Sequence, residues 1–254
     1  MVLSAGFPDL RAFLARLRAD GDLAVVEAPV DARLEAAEIH RRVIAAGGPA
    51  LLFTRVRGAE LPLATNLFGT ARRAELAFGA RPRRLVERLA GLAETLLPPA
   101  PGKLWAARDL AREALRIGTA RRRSGPVAEI VGSEIRLDRL PVLTTWPEDG
   151  GPFITLPLVY TERPGSPPGG TAGNLGIYRM QVHGPATTGM HWQIGKGGGF
   201  HYTEAERLGV PLPVTVFLGG PPALTLAAVA PLPENVPEPL LASLIAGQKL
   251  PLVR

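Results

Sequence analysis

The chain has 254 residues, 46% hydrophobic and 20% charged, which excludes a wholly disordered polypeptide and allows one large domain or two modest ones. It has no cysteine, so a disulfide scaffold, a thiolate metal site and a cysteine nucleophile are all excluded. The net charge is +6, carried almost entirely by arginine, and such a surface either suits an anionic partner or is simply solvated.

The N-terminus lacks a basic segment before an apolar run, because Asp9, Arg11 and Arg16 interrupt it. No apolar stretch is long enough for a membrane helix, so a cytoplasmic protein is expected. Leu10, Phe13, Leu14 and Leu17 recur at helical spacing, with Pro8-Asp9 as a start and Gly21 as a stop. Leu23 to Val26 reads as a strand. Asp31 is expected to cap a second helix running to Gly47-Gly48. Ala50 to Val56 and Leu63 to Phe68 read as strands, and 72–78, 82–97 and 104–117 as helices.

Arg121-Arg122-Arg123-Ser124-Gly125-Pro126 reads as a linker or exposed turn, and a domain boundary is expected near 120. After it, Val127 to Val131 and Glu134 to Leu137 flank Gly132-Ser133 as a β-hairpin signal. Strands are expected at 153–160, 174–183, 187–194 and 213–218, and helices at 203–208, 222–229 and 238–245. The final residues, Leu250 to Arg254, read as a strand whose open edge predicts association.

The densest polar and glycine signal lies between 171 and 202. Alternation puts Asn174, Gly176, Tyr178 and Met180 on one strand face, with Leu175, Ile177, Arg179 and Gln181 on the other. An arginine among apolar neighbours either pairs with an anion or points to solvent. Lys196 within Gly195-Lys196-Gly197-Gly198-Gly199 suits an anion, because glycines let backbone N–H groups approach. The pattern is not a Walker loop. Trp192 is either core or a platform for a flat ring. His191 and His201 are ten residues apart, which is not a metal-ligand spacing. Glu238, after Pro237, suits a helix N-terminus.

Three stretches resemble the UbiD family of decarboxylases, which use prenylated FMN. Asn174-Leu175-Gly176-Ile177-Tyr178-Arg179-Met180-Gln181 resembles that family's Asn-x-Gly-Ile-Tyr-Arg-x-Gln strand. Met190-His191-Trp192-Gln193-Ile194-Gly195-Lys196-Gly197 resembles its Met-x-Trp-x-x-His-x-Gly loop. Leu218 to Leu224 and Ala230 to Glu238 resemble the strand, helix and metal-carboxylate segment that follow. Asp9 to Leu14 and Ala64 to Gly69 also fit, so the resemblance covers nearly the whole chain.

The resemblance implies an α+β fold. An N-terminal α/β domain (1–120) would precede an FMN-binding split β-barrel-like domain (121–254), incomplete at its C-terminus. Asn174 and Glu238 would ligate a divalent ion, manganese by resemblance, with potassium as a further option. Ile177, Tyr178, Arg179, His191, Trp192, Gln193, Lys196 and Gly197 would line prenylated FMN. Arg179 would also hold the substrate carboxylate and is the catalytic candidate. The implied reaction is reversible non-oxidative decarboxylation of an aromatic or α,β-unsaturated acid, the cofactor accepting the electrons left as CO2 departs.

Two departures stand beside the resemblance. The loop's third metal ligand, a histidine in the family, is Gly195 here. The acidic segment that follows in the family, with its proton donor, and the C-terminal domain that joins its protomers lie beyond Arg254. A homo-oligomer or a separate C-terminal partner chain is therefore expected. The alternative is a truncated or degenerate homologue that binds flavin, phosphate or a partner chain without catalysis. Nucleic acid is not an expected partner, since the arginines are not interleaved with aromatics.

Overall fold

The computed structural model describes residues 6–80, 82–83, 87, 115–132, 134–166, 173–193, 195–232 and 236–253. The helices expected at 82–97 and 104–117 lie almost wholly outside these residues.

The N-terminal unit follows its local signals closely. Helix α1 (Leu10–Ala19) begins where Asp9 Oδ1 accepts the Ala12 N–H at 2.8 Å. Strands β1 (Leu23–Val26) and β2 (Ala50–Phe53) pair in parallel around helix α2 (Glu35–Ala45), and β3 (Leu63–Thr65) pairs antiparallel with β2. Helix α3 (Ala71–Phe78) is capped by the Thr70 hydroxyl. Phe13, Leu17, Ala50 and Ala77 form one buried cluster, and Val30, Ala36, Leu51, Phe53, Val56 and Leu143 another.

Asp31 does not cap α2. Its Oδ1 accepts the Arg33 N–H at 2.7 Å, while Glu35 Oε2 accepts the Asp31 N–H. Helix formation is delayed to Glu35 because Leu34, at φ +67°, is tied by its N–H to the Thr144 carbonyl at 2.9 Å. A distant partner overrides the local cap.

Arg73 is only 1% exposed. Its guanidinium donates to Asp22 Oδ1 at 2.7 Å and to the Gly48 carbonyl at 3.2 Å, fastening α3 beside the starts of β1 and β2. Buried charge of this kind is tolerated only when paired and hydrogen-bonded.

Arg121 and Arg122, expected as the start of a linker or exposed turn, belong to strand β4 (Thr119–Arg122). It pairs in parallel with β11 (Leu250–Val253), and the Gly118 N–H donates to Ser243 Oγ at 2.8 Å. One edge of the final strand is thus occupied within the chain. A local reading sees only an arginine run there, because the strand's partner lies at the other end of the sequence.

The expected hairpin at 127–137 is also absent among the described residues. Single 3-10 turns, Pro126–Ala128 and Leu137–Arg139, stand in its place, and Ile130 is 92% exposed. A two-stranded ribbon with no packed face is marginal on its own.

The second half contains two antiparallel sheets among the described residues. One has the order β10–β6–β7 (Val214–Phe217, Leu158–Glu162, Gly173–Ile177), and the other β5–β8–β9 (Phe153–Ile154, Met180–Gly184, Thr187–Met190). The strand expected over 153–160 is broken by Leu156, at φ +54°, before Pro157. Helices α4 (Gly197–Leu208), α5 (Pro222–Val229) and α6 (Glu238–Ala246) all pack on β7.

The two halves are in contact. Leu226 of α5 packs on the Phe13 cluster, and the Gly6 N–H donates to the Ala246 carbonyl. The fold is a mixed α/β arrangement whose second half brings one strand end, one helix start and one turn together.

Candidate functional site

The sequence suggests one continuous strand from 174 to 183. The structure breaks it at Tyr178-Arg179: β7 belongs to one sheet and β8 to the other. The face carrying Asn174, Gly176, Tyr178 and Met180 is therefore divided between two sheets. Tyr178 and Met180 are both buried, whereas Arg179 between them is turned outward.

Arg179 is nonetheless held. Its Nη2 donates to Asp149 Oδ1 at 2.9 Å, and its guanidinium carbon lies 3.4 Å from the centroid of the Phe153 ring. The second oxygen of Asp149 accepts the Thr145 N–H at 3.1 Å, the Thr145 hydroxyl at 2.7 Å and the Trp146 N–H at 3.3 Å. The Thr145 hydroxyl and Arg179, each donating to the ionised form, hold the Asp149 carboxyl down at about 2.

Arg179 opens onto a cavity of about 540 Å3, lined by Ile177, Tyr178, Phe153, Gln181, Met190, His191 and Gln193 among others. Five of the eight expected cofactor residues thus share one cavity: Ile177, Tyr178, Arg179, His191 and Gln193. No carboxyl group is among its described lining residues.

Lys196 and Gly197 sit at the adjoining helix start. Residues 197–199, expected as loop, form the first turn of α4 with Lys196 as its N-cap. Glycine disfavours a helix interior by about 1 kcal/mol, which is why the local reading ends short of them. Close packing explains their use. A Cβ at Gly198 would lie 2.6 Å from Trp192 Cζ3 and 2.9 Å from Tyr178 Oη, and one at Gly199 2.6 Å from the Gln193 carbonyl oxygen. The Gly198 N–H donates to Tyr178 Oη at 3.1 Å. The helix start is pressed against the strand break, where its leading N–H groups suit an anion.

Asn174 and Glu238 both lie along β7. Asn174 Oδ1 occupies the space that a Cβ at Gly197 would need, and its buried Nδ2 has no hydrogen-bond partner. Glu238, opening α6, accepts the Leu175 N–H through Oε2 at 3.1 Å. An amide oxygen and a carboxylate are hard-oxygen donors of the kind that divalent ions take. Among the described residues, no cluster of three or more histidine and acidic side chains accompanies them. Gly195 contributes no donor, and its φ of +82° is one that a histidine would adopt only with strain.

Trp192 lies away from the cavity. It packs edge-on to Tyr178 and stacks with Tyr202, and it lines a separate groove of about 600 Å3 with Ala205, Val210 and Val214. His201 is engaged elsewhere: its Nδ1 is 2.9 Å from the hydroxyl of Thr161, and burial lowers its pKa.

The sequence reading gave no site role to Asp149, Phe153, Gln181 or Met190, although Gln181 and Met190 stand in its motifs. Asp149 lies in a Glu-Asp-Gly-Gly turn whose only signal is polarity, and its partner is brought close by the sheet.

A family model described as the 3-octaprenyl-4-hydroxybenzoate carboxy-lyase Rift-related domain matches residues 119–254. A second, the N-terminal domain of the same carboxy-lyase, matches residues 14–93. A Chlamydia pneumoniae protein named as one component of a 4-hydroxybenzoate decarboxylase is 48% identical over 241 residues, covering 95% of this chain and 40% of that protein. The UbiD-class enzyme HmfF of Pelotomaculum thermopropionicum, solved with FMN, superposes with a TM-score of 0.75 at 29% identity, over 97% of this chain and 50% of that one. The closed form of the Sedimentibacter hydroxybenzoicus vanillic acid decarboxylase has the same fold, with a TM-score of 0.79 at 23% identity over 99% of this chain and 51% of that one. The chain therefore spans about half the length of the solved relatives and less of the Chlamydia protein. The domain matches, which together take in both halves of the molecule, show that the chain belongs to the UbiD family of carboxy-lyases.

Proposed function

We propose that this chain is the cofactor-binding half of a UbiD-type decarboxylase, acting on an aromatic or α,β-unsaturated carboxylic acid. The observation that carries the reading is Arg179, held by Asp149 and Phe153 at the mouth of a cavity that adjoins a glycine-opened helix start. A planar guanidinium with free N–H groups is the appropriate receptor for a carboxylate.

The described residues fit a phosphorylated flavin. Ile177, Tyr178, Arg179, His191 and Gln193 would hold its ring system, Trp192 would support Tyr178 from behind, and Lys196 with Gly197 would meet its phosphate. Prenylated FMN, when bound, supplies an electron sink for the pair released as CO2 leaves. Asn174 and Glu238 would hold a manganese ion beside the phosphate, with potassium as an accessory ion. The chain's own contribution is to bind and orient the acid through Arg179 and to keep the ring dry.

Protonation of the product carbon requires a carboxyl group with a raised pKa. Asp149 is unsuited, since its carboxyl stays ionised down to about pH 2. The donor in this reading comes from polypeptide beyond residue 254 or from a partner chain. Residues 1–120 and 121–254 act as two domains, the second a partial split barrel, in a cytoplasmic oligomer.

The second reading, a flavin or phosphate binder without turnover, is favoured by Gly195 and by the absence of a carboxyl group in the described cavity lining. Native mass spectrometry separates the readings. The chain is produced with a prenyl-flavin synthase and manganese. A bound mass equal to prenylated FMN plus metal, lost in Asn174→Ala and Glu238→Gln, supports the proposal. A folded chain that carries no flavin overturns it, and a flavin-loaded chain that stays inactive with a C-terminal partner supports the second reading.

A further inference from the structure

The ion pair between Asp149 and Arg179 can be read at three levels. At the first, Asp149 is a nearly buried carboxylate, 9% exposed, opposite an arginine that is 45% exposed. At the second, the two oxygens of Asp149 do different work. Oδ2 receives all three donors of the Thr145–Trp146 turn, and Oδ1 alone is left for Arg179. The carboxylate cannot swing away without losing three hydrogen bonds. At the third, the turn itself is anchored to the N-terminal half. Arg41 of α2 donates to the Thr145 carbonyl at 2.9 Å and lies over the Trp146 ring at 4.7 Å, and the Leu34 N–H holds the Thr144 carbonyl.

An arginine side chain loses rotamer entropy when it is fixed in one geometry. A site that fixes it beforehand removes that cost from ligand binding. Asp149 engages one of the five N–H groups of the guanidinium, and Phe153 fixes its plane.

We propose that Asp149 is the positioning residue of this site, holding Arg179 by one nitrogen over Phe153 so that its remaining N–H groups receive the substrate carboxylate. The inference rests on the assignment of Arg179 to a carboxylate made above. It adds that α2, through Arg41 and the 145–149 turn, sets the arginine's orientation.

The test uses the full chain labelled with 15N-arginine and benzoate as the probe. In the ligand-free wild type, the Arg179 guanidinium gives separately resolved, slowly rotating nitrogen resonances, identified by their loss in Arg179→Lys. In Asp149→Asn these collapse to an averaged signal, and benzoate binding measured by calorimetry weakens about ten-fold while the melting temperature stays close to wild type. Unchanged Arg179 resonances in Asp149→Asn overturn the positioning role, as does unchanged or tighter benzoate binding. Tighter binding would mean that Asp149 competes with the ligand. A wild type that does not bind benzoate, or an Arg179→Ala variant that binds it equally well, overturns the assignment of Arg179 and the inference with it. If Asp149→Asn fails to fold, Thr145→Val, which removes one donor from Oδ2 and leaves the ion pair, carries the test. A loss of about three-fold in benzoate affinity with partial averaging of the Arg179 signals supports the proposal, and no change in either overturns it.

Discussion

In the first 80 residues, Asp9 caps a helix three residues ahead of itself, Thr70 does the same for α3, and β1 pairs with β2 across one crossover helix. Around β7 and α4, almost nothing is decided nearby. Three glycines enter a helix because Asn174, Trp192, Tyr178 and Gln193 leave no room for a Cβ, and an arginine is aimed by an aspartate that precedes it by a full hairpin and loop. The first region shows elements made by local signals and then packed. The second shows a site made by packing, against local preference, as is common where function is concentrated.

The most damaging way to challenge this contrast is to attack the long-range contact inside the locally readable half. Asp22→Ala leaves the buried Arg73 guanidinium without its carboxylate and is expected to destabilise the chain by about 3 kcal/mol, read as a lower urea midpoint. A surface-like effect under about 1 kcal/mol would show that Gly48 and water suffice for Arg73.

Gly198→Ala is the sharpest discriminator. Helix propensity alone predicts a gain of about 1 kcal/mol. The contacts with Trp192 and Tyr178 predict a net loss of about 2 kcal/mol, with a change in tryptophan fluorescence. The sign of the shift in urea midpoint decides whether tertiary contact outweighs propensity there.

Asp9→Ala should cost about 1 kcal/mol, the value of an N-cap, and should leave the cavity untouched. Equilibrium unfolding and the Arg179 nitrogen signals together check both halves of that statement.

The smallest effect is one of pH. The folded-state pKa of Asp149 is lowered to about 2 by the Thr145 hydroxyl and Arg179. Its stabilising contribution is therefore present above its unfolded value, about 3.9, and is lost as pH falls through about 2. The small difference in melting temperature between the wild type and Asp149→Asn should be constant from pH 7 to 5 and close below pH 4. A gap that persists at pH 2 would mean that the pair does not shift Asp149.

Much of the element list was legible: α1, β1, α5 and α6 fall within a residue of their sequence-based expectations, because caps, periodicity and proline act within a few residues. The 174–183 strand was legible in its residues but not in its break. Alternation continues through Tyr178-Arg179, and only membership of two different sheets ends it. The arginine run at 121–123 read as linker because charge is all that a local window sees. Its first two residues are strand because β11 lies alongside them.

The order of residues by itself determined the starts of α1, α3, α5 and α6, the apolar faces, the family motifs and the placing of glycines where a backbone must come close. The tertiary structure decided which glycines are helical, that His201 serves Thr161, that Trp192 lies behind the cavity, and that Asp149 holds Arg179. Each of these depends on contacts between segments far apart in the chain. Such contacts arise only once burial has brought the strands and the turn into register, and no local pattern of charge or hydropathy encodes them.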